Sequence, residues 1–220
     1  MPNIITIDGP AGSGKSTLSR LLAKRLDFFY LDTGAIYRAI AYLTSRQEIR
    51  LDDVKSIYRL CQGIDIHFSN DDSCKLLIGR EDISSAIRSP EIDLLASRVS
   101  AVKEVREAAT AIQREMAAGM NVVAEGRDMG TVVFPNARNK FYLTATLDER
   151  ANRRYLERLG RGEKISKHKV KKELAKRDYQ DQSRSLAPLK PAKDAVLIDS
   201  TLLLPQAVVE KILTYFKNGI

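Results

Sequence analysis

The 220-residue chain is expected to fold as an α/β protein: a parallel sheet with helices on both faces, plus a small inserted antiparallel β piece. Two observations carry this. Short β-branched or aromatic runs alternate with stretches whose apolar residues recur at helical spacing, the pattern of a parallel sheet wrapped in helices. One region, 64–87, breaks that rhythm with short alternating pieces of the kind that pair as hairpins. The composition is that of an ordinary globular chain, with 44% hydrophobic and 29% charged residues and only 12 Gly and 7 Pro. No run approaches the roughly 18 apolar residues of a membrane span.

In chain order, Ile4–Ile7 is a β-branched run closed by Asp8-Gly9-Pro10 and a glycine-rich turn. From Lys15, Leu18, Leu21, Leu22 and Leu26 fall at helical spacing. Phe28–Leu31 reads as a second strand ending at Asp32, and Asp32-Thr33-Gly34 opens a helix through Tyr37, Ile40, Ala41 and Leu43. Ile64–Phe68 and Lys75–Ile78, separated by the turn-like Asn70-Asp71-Asp72-Ser73, form the antiparallel insertion, and Gly79-Arg80-Glu81-Asp82 follows them. A helical stretch near 101–118 leads into a strand at Val122–Ala124. Further strands are expected at Phe141–Leu143 and Val196–Ile198, with no internal repeat.

The start of the chain has neither a basic segment nor a long apolar one, so no signal peptide is expected. Cys61 and Cys74 match neither a metal knuckle nor a disulfide framework, and a reduced, cytoplasmic protein is the expectation. The net charge of +8 is unevenly spread. Residues 150–177 hold 12 Lys/Arg against three Glu, a local surplus of nine, which leaves the other 192 residues one negative charge in excess. Such a segment can grip a small polyanion with arginines or track a phosphate backbone with lysines.

Gly9-Pro10-Ala11-Gly12-Ser13-Gly14-Lys15-Ser16 satisfies every fixed position of G-x-x-x-x-G-K-[ST], between a strand and a helix. Glycines let successive N–H groups turn inward on a phosphate, and the helix adds its positive end. Residues Gly9 to Thr17 are thus the expected triphosphate cradle, with Lys15 on the β- and γ-phosphates and Ser16 on Mg²⁺. Glu125 and Asp32 end strands, positions from which a carboxylate either supports a cation or caps a helix.

Phosphoryl transfer asks for positioning and charge neutralisation, which planar, always-ionised arginines supply. On a helix starting near Asp148, Arg150, Arg153, Arg154, Arg158 and Arg161 form one stripe. Glu149 and Glu157 stand four residues before Arg153 and Arg161, so a solvated, salt-bridged helix is the plain account. Five arginines against two glutamates exceed what that pairing needs, and a phosphate-clamping lid with hinges at Gly160 and Gly162 is preferred. Arg177, Asp181 and Arg184 share one helical face, suited to a phosphorylated sugar or to a surface ion-pair ladder. Glu125-Gly126-Arg127-Asp128 stands at a strand end, where open α/β sheets bind ligands.

Taken together, residues 7–16, Asp32-Thr33-Gly34-Ala35-Ile36-Tyr37-Arg38, Glu125 to Pro135 and Arg177-Asp178-Tyr179-Gln180-Asp181-Gln182-Ser183-Arg184 closely resemble the bacterial cytidylate kinase family, essentially end to end. The resemblance implies transfer of the ATP γ-phosphoryl group to CMP or dCMP with Mg²⁺, by a cytoplasmic monomer that engages neither nucleic acid nor membrane. It implies a single phosphate-loop kinase domain with a core at about 1–62, 91–147 and 185–220. A monophosphate-binding insertion (about 63–90) and a lid with flanking helices (about 148–184) complete it. By position, Thr33, Arg38 and Arg127 bind the acceptor phosphate, and Ser97, Arg106 and Asp128 read the cytosine edge. Arg177, Asp181 and Arg184 take the sugar and phosphate side. Lys15, Arg150, Arg154 and Arg158 are the expected catalytic cations. The acceptor phosphate is already ionised, so no general base is needed, and His67 and His168 are expected at the surface or in packing. Another small-metabolite kinase on the same scaffold is the near alternative. A nucleic-acid-stimulated ATPase using the basic segment is the distant one.

Overall fold

Strand β1 (Ile4–Asp8) is central in a five-stranded sheet with β2 (Phe29–Asp32), β6 (Val122–Gly126), β7 (Asn139–Thr144) and β8 (Val196–Asp199), in the order β2-β6-β1-β7-β8. This computed structural model describes residues 2–69 and 75–217. The β1 pairings with β6 and β7, and that of β7 with β8, are parallel. In register, Asp8 stands opposite both Gly126 and Tyr142, so the carboxyl ends of β1, β6 and β7 come level along one sheet edge.

The sheet belongs to a unit made of residues 1–31 and 119–220. Its strands are nearly continuous apolar runs, as a sheet covered on both faces requires: Ile5, Ile7, Val122, Val123, Phe141, Leu143 and Ile198 are all buried. Helix α1 (Lys15–Leu26) turns Leu18 and Leu22 inward and packs on β6, while α8 (Pro205–Lys217) packs on α1. Helices α6 (Leu147–Gly160) and α7 (Lys167–Ser183) form an antiparallel-type hairpin of their own. Ala151, Val170 and Leu174 make its small core, and Ala11 of the glycine-rich turn packs against that core. The basic segment is therefore bolted beside the phosphate loop by apolar contact as well as by charge.

The second unit, Asp32–Ala118, holds α2 (Thr33–Arg46), α3 (Val54–Gln62), α4 (Pro90–Val99) and α5 (Lys103–Met116). It also holds an antiparallel sheet of β3 (Ile66–Phe68), β4 (Leu76–Ile78) and β5 (Glu81–Asp82). The expected hairpins lie here. The expected turn at Asn70–Ser73 and Cys74 lie outside the described residues. Asp32 and Asp53 accept from Ala35 N and Ser56 N as helix caps, and Ser89 does so from Ile92 N ahead of Pro90. Among the described residues, no helix is long and apolar enough to cross a membrane.

One turn leaves no latitude. Gly9 has φ +151°, and a Cβ there would stand 2.0 Å from the backbone oxygen of Leu143 in β7. A strand carbonyl in a parallel ladder cannot retreat by an ångström. Gly9→Ala is expected to cost at least about 3 kcal/mol by overpacking and backbone strain, read as a lowered midpoint in urea unfolding. An unchanged midpoint would refute it.

Candidate active site

The glycine-rich loop joins β1 to α1, and three side chains hold it by its carbonyl groups. Arg150 Nη1 donates to Ala11 O at 3.1 Å, Arg153 Nη1 to Ser13 O at 3.3 Å, and Ser200 Oγ to Ser13 O at 3.0 Å. The Ala11 and Ser13 carbonyls are thereby engaged away from a ligand, and a glycine-rich loop of this kind can turn its N–H groups on a phosphate; Ser13 N itself donates to Pro10 O at 3.4 Å. Lys15 is only 6% exposed, with its Nζ donating to Pro10 O at 2.8 Å. Burial, helped by the charges of Arg127 and then Arg177, pushes its ammonium down to about 7 against the pull of Glu125 and Asp8. A buried ammonium with two arginines near it favours an anion, whose arrival restores the full ammonium.

At the end of β6, Glu125 is buried and accepts from Ser16 Oγ at 3.0 Å through Oε2, while Tyr30 Oη donates to Oε1. Asp32, the other strand-end carboxylate, is a helix cap: it accepts from Ala35 N at 2.9 Å and pairs with Arg38 at 3.1 Å. Glu125 is thus the strand-end carboxylate hydrogen-bonded to the serine of the phosphate loop. Ser16 and Glu125 offer hard oxygen donors. Among the described residues no group of three or more His, Cys, Asp or Glu could hold a metal ion. This donor set fits Mg²⁺, which keeps waters and takes phosphate oxygens in preference to an all-protein cage.

Past Glu125, Arg127 Nε donates to Asp181 Oδ2 at 2.8 Å, and Arg184 Nη1 stands 4.0 Å from Asp181 Oδ1. Burial works against the Asp181 carboxylate, but Arg127, Arg177 and Arg184 outweigh it and hold the group below its ordinary value. The i, i+4, i+7 face of residues 177–184 is therefore in place on α7 and its C-cap, with Arg127 added to it. Asp128 is buried, and beyond it Met129–Val133 winds into a π-turn whose first two amides donate to Asp8 at 2.8 Å each.

Of the arginine stripe, Arg150 is the deepest, 7% exposed, and its donors go to Ala145 O, Ala11 O and Asp178, the last at 2.6 Å. Arg153 meets Glu149 and Ser200, Arg154 meets Glu157, and Arg158 meets Glu163 and Glu173 at 2.7 Å each. Arg161 pairs with Glu157. The surplus of arginine over glutamate along α6 is thus balanced from outside it, by Glu163, Glu173 and Asp178, and the premise that pairing leaves arginines over does not hold. Arg150 and Arg153 face the carbonyl side of the loop as supports.

In the second unit, Thr33 and Arg38 stand in the first two turns of α2, and Arg38 Nε has no partner among the described residues, a spare donor for a phosphate oxygen. Ser97 is half-buried on α4. Arg106 on α5 is buried, donates to Ser100 O at 3.1 Å and lies over the Tyr37 ring at 5.5 Å. His67 and His168 are both exposed.

Sequence reasoning missed Asp8, Tyr30, Asp178 and Ser200. Asp8 ends a strand as Glu125 does, so the same argument applied to it. Asp178 sits inside the Arg-Asp-Tyr-Gln-Asp run. Ser200, just past β8, gave no signal.

Asp8 is 3% exposed, and burial raises its carboxyl to about 6 despite the amides of Gly130 and Met129, with the Asp128 charge adding to the rise. A folded value above the ordinary 3.8 favours the protonated form. Its contribution to stability is complete below pH about 4 and is lost as pH rises through about 6, a change of about 3 kcal/mol. Asp8→Asn is expected to flatten the fall in Tm between pH 4 and 6. A variant retaining the wild-type slope would show that another group titrates there.

The family profile described as cytidylate kinase matches residues 5–218. A cytidylate kinase of Citrifermentans bemidjiense is 49% identical over 208 residues, covering 94% of this chain and 89% of its own length. One of Carboxydothermus hydrogenoformans is 47% identical, covering 95% of each chain. A crystal structure of an uncharacterised protein from Eubacterium ventriosum shares the fold, with a TM-score of 0.53 at 12% identity over 98% of both chains.

Proposed function

The chain belongs to the cytidylate kinase family, and from that premise we propose how its residues move the ATP γ-phosphoryl group to CMP or dCMP. It is an ATP-dependent nucleoside monophosphate kinase. The observation that carries the mechanism is the buried Lys15 ammonium at the phosphate loop, depressed first by burial and then by the nearby charges of Arg127 and Arg177. The loop amides, aimed by Arg150, Arg153 and Ser200, receive the β- and γ-phosphates. Lys15 spans the β- and γ-phosphates and neutralises the charge that develops on the leaving β-phosphate as the γ-phosphoryl departs, a preorganised interaction that strengthens in the transition state.

Mg²⁺ is proposed at Ser16, with Glu125 behind it, where it supplies charge neutralisation to the phosphate oxygens. The serine hydroxyl donates its proton to Glu125 and keeps its lone pairs outward. Arg127, fixed by Asp181, meets the acceptor phosphate, as do Thr33 and Arg38. Ser97, Arg106 and Asp128 read cytosine, and Arg177, Asp181 and Arg184 hold the sugar side. Arg154 and Arg158 are taken as the lid arginines; what supports this is that each is held by glutamates, Glu157 for the first and Glu163 and Glu173 for the second, which a phosphoryl oxygen would replace. The division into core, monophosphate-binding insertion and lid belongs to the same reading, as do a monomeric state and a cytoplasmic location.

The test is ADP release with ATP and Mg²⁺ across CMP, dCMP, UMP, AMP, GMP and dTMP. Turnover of CMP and dCMP well above the rest is expected. Preference for any other acceptor, or ATP hydrolysis indifferent to all six, would overturn the reading.

A further inference from the structure

Glu125 accepts from two hydroxyls on opposite sides, and only one of them belongs to the phosphate loop. Ser16 Oγ takes Oε2 at 3.0 Å, and Tyr30 Oη, from the end of β2, takes Oε1. Tyr30 and Glu125 are each 4% exposed, so neither hydroxyl nor carboxylate has bulk water as an alternative partner. A buried glutamate has three side-chain torsions to settle, and a single hydrogen bond at one oxygen leaves the carboxylate free to rotate. Bonds at both oxygens, from different elements, leave one orientation. The ring is held independently, 5.2 Å from the Arg20 guanidinium carbon on α1, so the phenol is a fixed post on the sheet.

We infer that Tyr30 is a positioning residue of the transfer reaction: its hydroxyl locks the Glu125 carboxylate so that Oε2 holds the Ser16 proton and presents the Ser16 oxygen to the divalent cation. The inference rests on the proposed placement of Mg²⁺ at Ser16. Groups that orient a ligating side chain without touching the ion typically carry 10–100-fold of its affinity, and Tyr30 has that relation to Ser16 through one carboxylate. Tyr30 has no reason to touch nucleotide, so its effect belongs to the cation and not to acceptor choice.

The experiment reads cation affinity directly, with Mn²⁺ titrated into the enzyme–ADP complex and followed by electron paramagnetic resonance. Tyr30→Phe keeps the ring and removes the donor, and about tenfold weaker Mn²⁺ binding is expected. In a Glu125→Gln background the same substitution is expected to add nothing, because Tyr30 acts only through the carboxylate. The double variant also removes the buried charge that Tyr30→Phe leaves short of a donor, so the cycle has a folded member if the single variant unfolds. In that case the double variant binding Mn²⁺ more weakly than Glu125→Gln alone overturns the inference, and equal binding supports it. Unchanged Mn²⁺ affinity in Tyr30→Phe beside weakened affinity in Glu125→Gln overturns the role of Tyr30 and leaves the cation site standing. Equal losses from Tyr30→Phe in both backgrounds also overturn it. Wild-type Mn²⁺ affinity in both Ser16→Ala and Glu125→Gln overturns the cation placement itself, and the inference with it.

Discussion

Lys15→Met is expected to lower kcat by about 10²–10³-fold with saturating ATP and CMP, the loss that follows removal of one preorganised donor from a developing charge. The methionine keeps most of the length and volume of a side chain that is 6% exposed, ending one atom short of the ammonium. What disappears is a buried ammonium already disfavoured by burial and by its arginine neighbours. Thermal stability without nucleotide is therefore expected to be unchanged or higher, since relieving a buried, crowded charge costs little. The two measurements separate chemistry from folding: steady-state kinetics for the first, a thermal melt for the second. Removing an interaction that is stronger in the transition state than in the ground state lowers kcat more than it raises KM. A variant with kcat within threefold of wild type would remove Lys15 from the transfer step.

The fold was legible because its signals are local. β-branched runs bounded by Gly9, Asp32 and Gly126 define strands whatever surrounds them, and the alternating pieces around Phe68 and Leu76 define hairpins. The phosphate loop was legible for the same reason, since its geometry is set by glycines within eight residues. The ion pairs across the chain were not. Arg150 meets Asp178, and Arg158 meets Glu173, only because α7 folds back on α6. A count of charges along one helix therefore overstated the arginines left over for ligand. Asp8 and Tyr30 belong to the same class. Each looks like an ordinary strand residue until the turn after β6 brings Met129 and Gly130, or β6 itself brings Glu125, within hydrogen-bond reach. The strand-end argument that picked out Glu125 and Asp32 left cation support and helix capping equally open; the structure makes Asp32 a cap through the amide of Ala35 and sets Glu125 against Ser16, which is the ground for proposing cation support there.

Asp128→Asn is expected to lower kcat/KM for CMP by about 10–100-fold, the cost of losing a charged acceptor from a buried hydrogen bond. The ratio of CMP to UMP efficiency is expected to fall by about 10³-fold, because uracil presents a carbonyl where cytosine presents an amino group. A carboxylate can only accept, so it suits cytosine and repels uracil, whereas the amide of asparagine can turn to donate. The discrimination depends on a side chain that cannot swing away, and the backbone around Asp128 is fixed on both sides. Its own carbonyl accepts from Val132 N at 2.9 Å and Val133 N at 3.1 Å, closing the π-turn. The next two amides are clamped by Asp8. Gly130 permits that clamp, since a Cβ there would come within 3.0 Å of Thr6 Oγ1 and 3.4 Å of Asp8 Oδ2. A backbone held on both sides limits how far the carboxylate can retreat from an unfavourable base. Parallel kinetics with CMP and UMP on wild type and Asp128→Asn measure the ratio. Equal losses for both bases would mean that Asp128 supports the turn and not the base, and the reading of cytosine would then rest on Ser97 and Arg106.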